Sequence, residues 1–424
     1  MNNKKRIEEI KDYLKDIGAK PLHPVDIPEE KSPDIPIASN VISSDVIEEF
    51  DIKPDYNIPN SDIPEFKYFV DGVERTVSIA SISLGVPIPL HITHLIAGTM
   101  ERTNKMMKPY KKKDILVLIL PYSAIIAKGY QIKKPPFEEL DRQGDFYDKI
   151  WNKNNEIFFT DSSRSLSSNG TVEIELKPDD LGALGDVRSK ALNRAKVLLR
   201  IMELGVLWDL FKSNNKKFKD WIILDGPIIR LTKYARLVSQ ELKGLEDLRN
   251  PTITYPFLSK IIGAIKRVIT VPNKGLDKVL ESEPSNFHIS LYKLSQVKQE
   301  DDEIEEYILA AFVKLRPEIV KYLPTIWSLT SSLTRFDIPI PAILNEGDYR
   351  DYMIIKEEFK KIVENKRNFL KALLTSLLIE RWPLPSSLEQ NRILTELYPI
   401  DETERWLKAH LRSSIELSQG IIYS

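Results

Sequence analysis

The chain has 424 residues, with Lys+Arg 61 against Asp+Glu 62, 42% hydrophobic residues and no cysteine. This is the composition of a folded globular protein, and the missing thiols exclude disulfide scaffolds, iron–sulfur clusters, cysteine-ligated zinc and thiol nucleophiles. A net charge of −1 requires any nucleic-acid contact to come from a local basic patch. With no apolar run of about 20 residues and no apolar core behind MNNKKRIEE, the expectation is a soluble cytoplasmic protein that does not enter a membrane.

Ile7, Ile10, Leu14 and Ile17 recur at helical spacing, so a short amphipathic helix opens the chain. Residues 21–65 carry eight prolines and many acids, which predicts an extended arm whose Ile27, Ile35, Ile58 and Ile63 anchor it to a surface. The pattern changes at residue 66. FKYFVDG reads as a strand running into an Asp-Gly turn, VSIASISL (77–84) as a second strand and DILVLILPY (114–122) as a buried one. TVEIEL (171–176) alternates like a half-exposed strand, 188–212 is the longest helical segment, and WIILDGP (221–227) is another buried strand ending in Asp-Gly. Residues 260–271, 287–294 and 306–315 read as strands or short helices, 350–381 as a long helix, and further helical segments surround WPLP and LYPIDE. Strands interleaved with helices define a mixed α/β core over residues 66–424, preceded by the helix and proline-rich arm of 1–65.

Three acids stand out. Asp71 and Asp225 each follow an apolar strand and precede a glycine, a position that displays a carboxylate at the rim of a sheet, while the glycine permits a turn and close approach of a phosphate backbone. The plain alternative is two ordinary strand-terminating turns. In VLLRIMELGVLWDLF (197–211) eleven of fifteen residues are apolar on all sides, so the helix is buried, with Glu203 at the margin of its Leu192–Ala195–Leu199–Val206–Leu210 stripe. A carboxylate there needs an ion pair, with Arg200 or a lysine, or a metal. Together the three acids could hold one or two divalent cations.

Other signals are weaker. KMMKPYKKK (105–113), with Lys111, Lys112 and Lys113, and KSNNKKFK (212–219), with Lys216, Lys217 and Lys219, mix lysines with an aromatic, as a phosphate-tracking groove with a stacking ring requires; solvated loops would look the same. The second stretch lies between Glu203 and Asp225, which suggests a place near the acids. Lys266, inside the apolar run IIGAIKRVI, could meet a scissile phosphate or pair with one of the acids. His91 and His94 in PIPLHITHL form a candidate i, i+3 ligand pair. P-loop, Rossmann and nucleophile-elbow patterns are absent.

The ordered series VDG (70–72), ALNRAKVLLRIME (191–203), WIILDGPI (221–228), IIGAIKR (261–267), YILAAFVKLRP (307–317) and LTRFDIP (333–339) resembles the NurA nuclease family, archaeal and bacterial DNA-end-resection nucleases that work with the HerA hexameric ATPase. The resemblance spans about residues 66–395. It implies an RNase-H-like α/β core with peripheral helices, Mn²⁺-dependent cleavage of DNA with Mg²⁺ as a substitute, and a homodimer docked on a HerA-type ring. The family's metal ligands carry over onto Asp71, Glu203 and Asp225. Two positions depart from the pattern. Val73 stands where the family usually has serine. The family's Tyr-Pro and active-site histidine match either Trp382 and Gln390, or Tyr398-Pro399 and His410 at a longer spacing, and the interval favours Gln390. Loss of the histidine would fit a second reading, a NurA-like DNA-binding or ATPase-docking subunit with weakened catalysis.

Overall fold

The computed structural model describes residues 3–26, 46–58, 64–140, 146–152, 157–164, 176–246, 250–266, 287–295, 305–316, 333–349, 361–383 and 395–422. In chain order the elements used below are α1 (Asn3–Asp16), β1 (Lys20–Asp26), β2 (Val46–Ile52), β3 (Phe66–Ser83), β4 (Pro87–Thr103), β5 (Met106–Leu120), α2 (Tyr122–Ala127), β6 (Glu138–Glu139) and β7 (Ile157–Asp161). They continue with α3 (Leu184–Ser213), β8 (Trp221–Asp225), α4 (Ile229–Val238), α5 (Pro251–Leu258), β9 (Ile261–Ile265), β10 (Phe287–Ser295), β11 (Glu305–Lys314), β12 (Leu333–Pro339), α6 (Arg367–Ile379), α7 (Tyr398–Lys408) and α8 (Ser414–Ile422).

The described strands make one mixed sheet in the order β2-β10-β11-β12-β9-β8-β3-β4-β5-β7-β6, with β1 paired to β3. The β3–β8, β8–β9, β5–β7 and β6–β7 pairs are parallel and the rest antiparallel. Alternation along the strands sorts the side chains into two faces. Tyr68, Val70, Leu95, Val117, Ile222 and Leu224 pack under α3 and α4. Phe69, Trp221, Ile223 and Ile262 face the other way, with Leu370, Leu373, Leu374 and Leu377 of α6. Farther along that second face, Ile10, Tyr13 and Leu14 of α1 cover Val77, Ile79, Leu90 and Ile92. The molecule is a mixed α/β structure with helices on both faces of a mixed sheet.

Several elements differ from their sequence reading. FKYFVDG and VSIASISL are not two strands around a turn but one eighteen-residue strand, β3, with Asp71-Gly72 in its interior. The basic run 105–113 is no loop either, since all but Lys105, which sits in the β4–β5 turn, forms the first half of β5 and pairs with β4. Within the proline-rich stretch, β1 pairs with β3 and β2 with β10, so its described parts are extended and tied to two separate strands. Segments 287–294 and 306–315 are strands β10 and β11. The C-terminal helix of 350–381 shows as 361–365 and α6 with a turn at Lys366, while 350–360, TVEIEL over 171–175 and Gln390 lie outside the described residues.

Candidate active site

The site forms where a short strand ends beside a long one. β8 runs parallel to β3 with Leu224 opposite Val70, and stops at Asp225 while β3 continues. Asp71 and Asp225 are therefore the next residues on adjacent strands and point to the same face, the one that carries Phe69 and Ile223. Gly226 follows Asp225 with φ 117°, a conformation that a Cβ would penalise. The turn is fixed by Gly226 N–H donating to Ala264 O (2.8 Å) and Ile228 N–H donating to Asp337 Oδ2 (3.3 Å).

Gly72 serves a different purpose. A Cβ there would lie 2.6 Å from Glu203 Oε1 and 2.9 Å from Leu199 Cδ1. This glycine lets α3 press its carboxylate onto the strand, which is why an Asp-Gly pair sits in mid-strand instead of at a turn. Glu203 is buried and accepts from Arg200 Nη1 at 2.5 Å. It approaches β3 from the α3 side, whereas Asp71 and Asp225 point to the opposite face.

On that opposite face a lysine gathers acids. Lys266 directly follows β9, and its ammonium pairs with Asp225 (3.2 Å), Glu396 and Glu404 (3.6 Å). Glu404 lies on α7 and Glu396 just before it; α7 is seated over β3 and β4 by Leu407, which packs with Val73 and Ile96. Lys408 also reaches Glu404 Oε1 at 2.8 Å. Sequence reasoning missed both glutamates. Leu397, Ile400 and Leu407 form an apolar stripe at helical spacing, and Glu404 falls on that stripe, the same signal that drew attention to Glu203. Glu396 carries no comparable signal.

The electrostatics follow from this crowding. Burial first, and then the Asp225 charge, push the Asp71 carboxyl well above the ordinary carboxylate range; Glu404 and Glu203 add to the push and Lys266 opposes it. Burial draws the Lys266 ammonium down, but Asp225, Glu396, Glu404 and Asp71 outweigh it and hold the amine well above its usual value. Burial raises Glu396 as well, against the pull of Lys266. Asp71 is 2% exposed; its Oδ1 accepts from Gly72 N–H at 2.7 Å, and its Oδ2 is buried with no hydrogen-bond partner.

An orphaned carboxylate oxygen beside a second aspartate fits a hard divalent cation, which takes oxygen ligands. Glu203 stands apart as the partner of Arg200, the three acids around Lys266 are paired to its ammonium, and among the described residues no group of three acidic or histidine side chains could hold a metal by itself. The residues thus fit a cation held by Asp71 and Asp225, its other positions left to water or substrate.

The two basic stretches meet one another on the α3 face, whereas Lys112 is in register with Asp71 through Gly98 and shares its face two strands across. Lys111 on β5 pairs with Asp209 (2.7 Å) and reaches Ser213 Oγ (3.3 Å) on the last turns of α3. Lys212 lies over the Tyr147 and Trp208 rings at 4.6 and 5.9 Å, and Lys216 pairs with Glu241 (2.6 Å). Lys112 is 3.9 Å from Asp114, Lys113 sits opposite Ala97, and Lys217 and Lys219 are exposed. Residues 216–219 lead into the start of β8, and Asp225 is at its other end, about 13 Å away by strand rise. The expected closeness of this stretch to the acids is corrected accordingly.

His410 is exposed, its Nδ1 2.9 Å from Trp406 O, six residues and about 9 Å of helical rise beyond Glu404. His91 and His94 are on a strand, where i, i+3 spacing sends side chains to opposite faces, so they do not form a ligand pair. Both His91 nitrogens are buried without a hydrogen-bond partner, whereas His94 Nδ1 accepts from Arg412 N–H at 3.1 Å.

No family profile matches the chain, and no curated protein matches it. Among solved structures it is similar to the crystal structure of the NurA nuclease from Sulfolobus solfataricus, at 13% identity over 90% of this chain and 96% of that one, with a TM-score of 0.24. A likeness of that size carries no argument for the site, which stands on this chain's own residues.

Proposed function

We propose that the protein is a divalent-metal-dependent deoxyribonuclease built on an RNase-H-like core, using Mn²⁺ or Mg²⁺ to hydrolyse phosphodiester bonds. The observation that carries this reading is the buried, unpartnered Asp71 Oδ2 beside Asp225 at the open end of β8. A bound cation supplies Lewis-acid polarisation of the phosphate and a more acidic water. This chain's residues do the remainder. Asp71 and Asp225 hold the cation, Glu203 braces β3 at Gly72, and the Lys266 ammonium offsets phosphate charge next to Asp225. The exposed Tyr110, with Lys111 over its ring, and the exposed Lys212 suit a single strand, whose phosphates would meet the ammoniums while a base stacks on Tyr110. The family resemblance adds a cytoplasmic homodimer that engages a HerA-type hexameric ATPase in DNA-end processing or defence.

Purified protein is expected to cleave single- or double-stranded DNA with Mn²⁺ or Mg²⁺, and Asp71→Ala or Asp225→Ala to abolish cleavage. Wild-type protein inert on both substrates with both metals would move the assignment to a non-catalytic DNA-binding or ATPase-docking subunit. That second reading draws on the ion pairs that already occupy Glu203 and Lys266.

A further inference from the structure

A chain of ion pairs leads from the acidic pocket out to solvent. Lys266 Nζ lies 3.2 Å from Asp225 Oδ2 and 3.6 Å from Glu404 Oε2, and Glu404 Oε1 is in turn 2.8 Å from Lys408 Nζ. Exposure rises at the last step, from 9% for the Glu404 side chain to 43% for that of Lys408. A glutamate followed four residues later by a lysine is common on a helix surface, where the pair merely spans one exposed turn. Here the glutamate is nearly buried and its other oxygen faces Lys266. The Lys408 ammonium is thereby held at the mouth of the acidic pocket.

The course of α7 shows what could use that position. Tyr398, its first residue, donates its N–H to Glu380 O, and Glu380 pairs with Arg102 toward one end of β4. Beyond the last turn, Arg412 N–H donates to His94 Nδ1, farther back along the same strand. α7 therefore runs along the strands beneath it, with Glu404 and Lys408 one turn apart on the flank that faces Lys266. A nucleic-acid strand whose reacting phosphate sits at Asp225 and Lys266 passes Lys408 as it leaves along the helix. We propose that Lys408 binds the backbone phosphate next to the one that is cleaved, exchanging the Glu404 carboxylate for that phosphate when the strand arrives. This rests on the nuclease reading above. The exchange costs little, because an exposed pair one helical turn apart contributes little, and Glu404 still faces Lys266 once Lys408 has turned away. Lys408 is a binding residue in this arrangement and touches no reacting atom.

The test is the salt dependence of binding, read by fluorescence anisotropy of a labelled single-stranded oligonucleotide with Ca²⁺ in place of Mn²⁺. Lys408→Gln should weaken binding about tenfold at low salt, the scale of one charge-assisted hydrogen bond. It should also lower the slope of log K against log salt by about 0.7, the value of one phosphate contact on a single strand. Lys408→Arg should keep both affinity and slope. An unchanged slope in Lys408→Gln would overturn the proposal. A second measurement needs no variant that might fail to fold. A neutral methylphosphonate, moved along the oligonucleotide, should cost wild type the same loss at the linkage next to the cleaved one, and no loss there would equally overturn the proposal. Lys408→Gln should no longer sense that linkage. Cleavage with Mn²⁺ is read separately. Wild type that binds through Lys408 without cutting overturns only the nuclease reading. Wild type that cuts while Lys408→Gln keeps its slope overturns only the Lys408 proposal, and wild type that binds no strand overturns both.

Discussion

Asp71→Asn separates a functional carboxylate from a structural one. Asp71 is 2% exposed and its Oδ2 has no partner, so in the metal-free protein it carries the penalty of a buried, unsatisfied acid, about 1–3 kcal/mol. Asparagine keeps the Oδ1 that accepts from Gly72 N–H and turns Oδ2 into an amide donor facing the Asp225 and Glu404 side of the pocket. The metal-free variant should therefore be more stable than wild type. Unfolding entropy of about 2.1 cal/mol/K per residue over 424 residues gives about 0.9 kcal/mol/K, so Tm should rise by about 1–3 °C. The pH dependence has a definite sign. The folded pKa of Asp71 lies above its unfolded value, so the penalty is absent when both states are protonated, grows as pH rises past the unfolded value near 4, and is complete above the folded one. The Tm gap between variant and wild type should accordingly be widest at pH 8 and close toward pH 4. Mn²⁺ at 100 times its Kd should raise wild-type stability by about 2.7 kcal/mol and leave the variant unmoved. Scanning calorimetry at several pH values, with and without Mn²⁺, measures all of this. An Asp71→Asn protein that melts below wild type in the absence of metal would refute the reasoning, because the carboxylate would then be holding the fold together.

Other outcomes follow from single contacts. In Gly98→Ala the new Cβ would meet Leu407 Cδ2 at 2.8 Å and Lys111 O at 2.9 Å, so α7 must lift; a cost of about 1–3 kcal/mol and faster hydrogen exchange over residues 398–411 are expected, and unchanged exchange there would contradict the seating of α7. Burial, with the Arg188 charge, lowers His91 to about 4, below its unfolded value near 6.5; the unfolded chain takes up that proton first as pH falls, so stability drops by about 1.4 kcal/mol per unit between those limits, and His91→Leu should flatten this part of the curve in urea titrations. Arg102 grips Glu380 through its two terminal guanidinium nitrogens (2.6 and 2.5 Å), so Arg102→Met should cost about 3–5 kcal/mol by stranding the acid, and Arg102→Met/Glu380→Met should recover most of it in the same denaturation assay.

The legibility of this sequence depended on whether a local signal and the tertiary need coincided. At Asp225-Gly226 they did: an apolar strand ends, the glycine takes φ 117°, and the carboxylate is left at the rim. At Asp71-Gly72 the same dipeptide means something else, because the glycine relieves a collision with α3 that is 131 residues away in the chain from Gly72 to Glu203 and leaves no local trace. The burial of Glu203 was readable from an all-round apolar helix, and so was its need for a partner; Arg200 one turn earlier supplied it. Lys266 stood out as a cation inside an apolar run, but two of its partners did not, since Glu396 and Glu404 belong to a segment that reads as an ordinary amphipathic helix. The run 105–113 misled for the opposite reason. Its lysines look like a loop, yet long side chains on a strand can stand clear of a sheet whose backbone is fully paired.

What positions the pocket is a mismatch of strand lengths. β3 needs eighteen residues to support β1, β4 and β8, while β8 and β9 are five residues each and parallel to one another. Both short strands present their carboxyl ends at the same level, where parallel sheets commonly open a crevice. Asp225 and Lys266 come from those ends, and Asp71 comes from the part of β3 that has just lost its neighbour. A β8 extended by two residues would carry its chain past Asp71 and close the rim at which Asp225 now ends. The crevice also needs a lid, because an ammonium shared by three carboxylates would otherwise be hydrated and its pairs worth little. α7 provides that lid together with Glu404, and the residues leading into it carry Glu396, so the packing of Leu407 on Val73 and Ile96 and the ion pairs at Lys266 are one structural dependency: loosening the helix should loosen the lysine.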